Sequence, residues 1–84
     1  MKVRYIGQSF GVDALTNGKV YECLEADEFG FLRIIDDSGE DYLYSAAHPE
    51  AIDEEMEPGR WEVVEDDENG TLQKAIDEAI RILG

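Results

Sequence analysis

Hydrophobic residues in this chain keep one period up to residue 66 and a different one after residue 70. Before the change they gather in short runs rich in β-branched and aromatic side chains, each closed by a polar or glycine-containing turn. Residues 2–6, 19–24, 31–35, 42–44 and 61–65 are therefore expected as five strands. Asn17-Gly18 is a strong turn signal ahead of the second strand, because both residues tolerate positive φ. Asp36-Asp37-Ser38-Gly39 reads as a hairpin turn with Gly39 in the left-handed position, which makes the third and fourth strands an antiparallel pair. Gln8 to Gly18 is a long loop, and Ser45 to Gly59, with Pro49 and Pro58, is an irregular excursion. In the fifth strand Trp61 and Val63 are expected to face inward.

After residue 70, Leu72, Ala75, Ile76, Ala79, Ile80 and Leu83 recur at i, +3, +4, +7, +8 and +11, one stripe of an amphipathic helix. Asn69 or Thr71 is expected to cap its N-terminus. A helix of about 13 residues is marginal alone in water, so the stripe has to bury itself on the strands, on a second copy or on another protein.

With 84 residues the chain builds one core. Five short strands, with a long loop after the first, a tight hairpin between the third and fourth and an irregular link before the last, are the layout of an SH3-like barrel. The expected fold is mainly β: a small five-stranded antiparallel SH3-like barrel over residues 1–66, with linker and C-terminal amphipathic α-helix over 67–84 in the same domain. Three segments, LTNGKVYEC (Leu15 to Cys23), LRIIDDSGEDYLYS (Leu32 to Ser45) and WEVVED (Trp61 to Asp66), resemble a group of small, mostly uncharacterised acidic SH3-like proteins of Gram-positive bacteria and their phages. The resemblance implies that fold and a bacterial or phage setting, and it transfers no activity to any residue. A peptide-binding SH3 domain carries an ALYDY-like stretch in its first long loop, and the stretch from Gln8 to Leu15 departs from that pattern.

Charge narrows the partners. The net charge is −14, and residues 25–84 hold four cations against nineteen acids. Such a chain repels nucleic-acid backbones and anionic membranes, so neither is expected as a partner. The densest run, Glu50 to Glu68, has ten carboxylates, which are either a solvated surface or a face for a basic partner. A single cysteine, Cys23, forms no internal disulfide, and no export signal or membrane span is visible, which leads us to expect a cytoplasmic protein.

Chemistry-bearing constellations are few. Cys23 reads as a small core hydrophobe and His48, before Pro49, as a solvent-exposed turn residue. Counting from Glu65, Asp67, Asn69 and Gly70 take calcium-loop positions, but Ile76 stands where the bidentate glutamate is required. No phosphate-binding glycine loop occurs. No enzyme activity, catalytic residue, metal or cofactor is expected. Phe10, Tyr42, Tyr44 and Trp61 either fill the core or line a ligand groove, and Leu72, Ile76 and Ile80 are the helix residues open to a partner. The expected function is a non-enzymatic protein-interaction module of unidentified partner. The alternative is an acidic nucleic-acid mimic that inhibits a basic DNA- or RNA-binding protein. A monomer is favoured, with a homodimer through the C-terminal helix as the competing arrangement.

Overall fold

The computed structural model of the chain describes residues 1–7, 15–49 and 59–83. Its elements are β1 (Lys2–Ile6), β2 (Val20–Ala26), β3 (Phe31–Ile35), β4 (Asp41–Ser45), β5 (Arg60–Glu65) and α1 (Thr71–Leu83). The strands make one antiparallel sheet in the order β4-β3-β2-β1-β5. Period-2 alternation sends Val3 and Tyr5 of β1, Tyr21 and Cys23 of β2, and Leu32 and Ile34 of β3 to one buried face.

One strand bends the sheet. The first half of β2 pairs with β1, where Val3 lies opposite Tyr21, and its second half pairs with β3, where Ala26 lies opposite Leu32. Between Cys23 and Glu25 the register shifts, and such a bulge kinks the strand and increases its twist. The sequence pattern ends this strand at Leu24, and the pairing of Glu25 with Arg33 and of Ala26 with Leu32 carries it on to Ala26. Among the described residues the sheet does not close by a strand pairing between its two ends. Instead the Trp61 indole N–H of β5 donates to the Ser45 carbonyl of β4 at 2.9 Å, and its ring meets Tyr44 edge-on at 6.2 Å between centroids.

The hairpin is where the turn chemistry put it: Gly39 has φ of 84°, and its amide donates to the Asp36 carbonyl at 3.0 Å. Glycine matters for a different reason at residue 59, where a Cβ would sit 2.5 Å from the Tyr5 ring. The core therefore brings backbone directly against its buried tyrosine.

The helix lies on β2 and β5, and Leu72, Ile76 and Ala79 join the core cluster with Ala75 packed against it. The stripe thus buries itself on the chain's own sheet. Ile80, expected within it, is 44% exposed. At about 100° per residue, Ile80 and Ile82 stand roughly 80° to either side of Leu72, at the two margins of the buried stripe. Among the described residues no helix is long and apolar enough to cross a membrane.

Candidate functional site

Two polar clusters hold the hairpin end of the molecule. Thr16 Oγ1, Lys19 Nζ and Tyr21 OH all donate to the Asp37 carboxylate, at 2.8, 2.5 and 3.0 Å. The Thr16 amide donates in turn to Tyr21 OH at 2.7 Å. Loss of solvent works to raise the Asp37 carboxyl, but the bonds from Lys19, Thr16 and Tyr21 outweigh it and hold the group below its ordinary value. Lys19 is raised, chiefly by its bond to Asp37, and Tyr21 is raised chiefly by burial. Beside this cluster, buried Asp36 accepts from the Ser38 amide at 2.9 Å and the Tyr44 hydroxyl at 2.6 Å. These bonds clamp the approach to β2 onto the β3–β4 turn, and their polar atoms are already engaged within the chain.

The aromatic residues do not assemble into one groove among the described residues. Trp61 is buried between Tyr5 and Tyr44, with ring centroids 5.7 and 6.2 Å away. Tyr44 packs against the same cluster. Tyr42 is 50% exposed and gives its hydroxyl to Glu40 at 2.9 Å. Phe10 lies outside the described residues. On the helix, Leu72 and Ile76 are covered by the sheet, so among the described residues expected to face a partner Tyr42 and Ile80 have substantial exposure.

The acids before the helix have a structural use. Gly70, whose carbonyl accepts from the Lys74 amide at 3.0 Å, takes the cap position, while the free amides of the first turn are met by carboxylates from upstream. Asp67 Oδ1 accepts from Asn69 and Thr71, at 3.0 and 2.9 Å, and Asp66 accepts from Leu72 and Gln73, at 2.9 and 3.0 Å. Neither Asn69 nor Thr71 is the cap that sequence reasoning expected. Negative charge at this end also opposes the helix dipole favourably. For Asp66, desolvation is outweighed by the amides of Gln73, Leu72 and Asp67, and for Asp67 the Thr71 hydroxyl and amide lead, so both carboxyls lie below their usual value. The calcium-loop spacing thus belongs to a capping arrangement. Cys23 is buried, its thiol bonded to the Glu25 carbonyl at 3.4 Å, and burial pushes its pKa up to about 11. His48 is half-buried rather than solvent-exposed, with its amide on Ser45 Oγ at 3.1 Å. Among the described residues no three His, Cys, Asp or Glu side chains converge as metal ligands.

A cleft of about 430 Å³ lies between the β2–β3 turn and one flank of α1. The turn supplies Asp27, Glu28, Phe29 and Gly30; the helix supplies Lys74, Ala75, Glu78, Ala79 and Ile82. Both walls have local causes. Asp27 Oδ1 accepts from the amides of Phe29 and Phe31, each at 2.9 Å, which fixes the turn and stands Phe29 out at 76% exposure. Ile82, 68% exposed, continues the Ala75–Ala79 flank of the helix past the point where the sheet covers it. Three acids against one lysine leave the rim negative. Clefts that receive small ligands or side chains run from about 300 to about 1,000 Å³, so this one holds one or two large side chains.

Neither a family model, a curated protein nor a solved structure matches the chain. Sequence reasoning passed over the cleft. Two signals pointed to it: Phe29 is a lone aromatic inside a turn of acids, and Ile82 is an isoleucine off the helical stripe.

Proposed function

We propose that this chain is a non-enzymatic protein-interaction module built as an SH3-like barrel with a docked C-terminal helix, and that its partner is a basic protein. The barrel reading draws on the strand order and on the bulge that lets β2 serve both halves of the sheet. The single observation that carries the function is the cleft beside α1, where Phe29 and Ile82 expose apolar surface under an acidic rim. Exposed apolar surface framed by polar groups is the usual mark of a recognition site. The setting implied by the sequence resemblance is bacterial or phage.

A second reading, the acidic nucleic-acid mimic, is favoured by one observation. Lys2, Arg4 and Lys19, the only local excess of positive charge, are paired with Glu65, Glu62 and Asp37, so the one basic stretch is neutralised within the chain and the surface charge stays negative. The two readings separate in an affinity capture from the native host with the parent chain, a Phe29→Ser/Ile82→Ser variant and a Tyr42→Ser variant. A partner lost with the cleft variant alone supports the module. A partner that all three variants retain at low salt and release together at about 0.5 M salt supports the mimic, because distributed charge is screened and a buried anchor is not.

A further inference from the structure

We infer that the cleft receives a short basic segment of a partner protein, which inserts one large aliphatic or aromatic side chain between Phe29 and Ile82 and sets flanking Lys or Arg residues against Glu28 and Glu78. The inference rests on the interaction-module reading and names the occupant of the same site.

Four observations lead to it. The floor is made by Ala75 and Ala79, whose small side chains leave room for a large one from outside, and the volume of about 430 Å³ accepts it. Phe29 and Ile82 are the two most exposed large apolar residues of the described chain, and they line the same cleft. Covering them removes apolar surface from water, which is the non-directional part of affinity. Charge then selects the occupant. Glu28 makes no hydrogen bond or ion pair among the described residues, and the Glu78 carboxylate is held only by exposed Arg81 of its own helix, so both remain available to incoming cations. A second copy of this chain is the wrong occupant, because each copy carries −14 and the docked faces would repel.

The test uses the full chain, ¹⁵N-labelled, titrated with four blocked seven-residue peptides: a central leucine flanked by lysines, the same peptide with alanine for leucine, a central leucine flanked by glutamates, and a proline-rich peptide. Amide shifts from the lysine–leucine peptide should be confined to the 27–30 turn and the 74–82 face of α1. Its affinity should exceed that of the alanine peptide by about tenfold or more, the factor expected for burying a leucine side chain. Phe29→Ser should abolish these shifts, and Glu78→Lys should weaken binding about fivefold at low salt. Both positions are exposed, and the remaining amide spectrum reports that each variant is folded.

Equal binding of the leucine and alanine peptides, or preferential binding of the glutamate peptide, would overturn the proposed occupant. Shifts centred on β4 would overturn it while leaving a module that binds elsewhere. If none of the four peptides shifts any amide at millimolar concentration, the proposed occupant is wrong, and the module reading is then decided by whether affinity capture yields a partner that the Phe29→Ser/Ile82→Ser variant alone loses.

Discussion

The hairpin end and the helix flank use the same residue types to opposite ends. At the hairpin, Asp37 gathers Thr16, Lys19 and Tyr21, and Asp36 gathers Ser38 and Tyr44, so that charge and hydroxyl groups are satisfied within the chain. At the helix flank, Glu28 and Lys74 have no such partner among the described residues, and Phe29 and Ile82 stay in water. A surplus of acids therefore does not describe one kind of surface. The carboxylates that hold the fold are identified by the donors they accept, and those available for recognition by what they lack.

The largest effect should come from the buried stripe beneath the cleft. Leu72→Ala is expected to cost about 2–5 kcal/mol in urea unfolding, since Leu72 is fully buried in the core shared by sheet and helix. A cost below about 1 kcal/mol would mean that the helix is not docked on β2 and β5, and the contrast between its covered and uncovered sides would collapse.

Next is Asp37→Ala, expected to cost about 1–3 kcal/mol because three donors lose their acceptor in a partly buried place. Turn chemistry in the sequence singles out Gly39, whose φ is positive, and carries no comparable signal for Asp37. Asp37 sits in that same turn, but its partners come from across the fold: Thr16, Lys19 and Tyr21 lie 16 to 21 residues earlier. Gly39→Val should still be costly, by about 1–3 kcal/mol, and purely through backbone strain, because nothing lies within 4 Å of its Cβ direction.

Acid separates structural carboxylates from surface ones. Asp37, Asp66 and Asp67 have pKa values in the folded chain below the ordinary 3.8. A depressed folded value means the unfolded chain binds protons first, so the stability these groups contribute is complete above 3.8 and is lost as pH falls through the folded values beneath it. Repulsion among the exposed acids acts the other way and is relieved by mild acidification or salt. The thermal midpoint should hold or rise between about pH 7 and about pH 5.5, then drop steeply below 3.8. A midpoint that declines steadily from neutrality would remove the distinction.

What could be read from the sequence followed from local rules. Asn17-Gly18, the 36–39 turn and the β-branched and aromatic runs of β1 and β3 marked the strands nearly to the residue, and the 3.6-residue period marked the helix. Three things were hidden because they depend on what lies across the fold. The bulge of β2 appears only when β1 and β3 claim different halves of one strand. Capping by Asp66 and Asp67 needs the chain to fold back over residues that a nearest-neighbour rule assigns to Asn69 or Thr71. The cleft needs the β2–β3 turn to arrive beside Ala75 and Ala79, and no periodicity in either segment announces the other.

The smallest effect is the most direct test of the claim that the helix flank is free for recognition. Phe29→Ser/Ile82→Ser, measured by equilibrium urea unfolding, should leave stability within about 0.5 kcal/mol of the parent, because both side chains already stand mostly in water. A loss of about 2 kcal/mol or more would show that Phe29 and Ile82 hold the turn and the helix together, and that the cleft belongs to the core of the fold rather than to a partner.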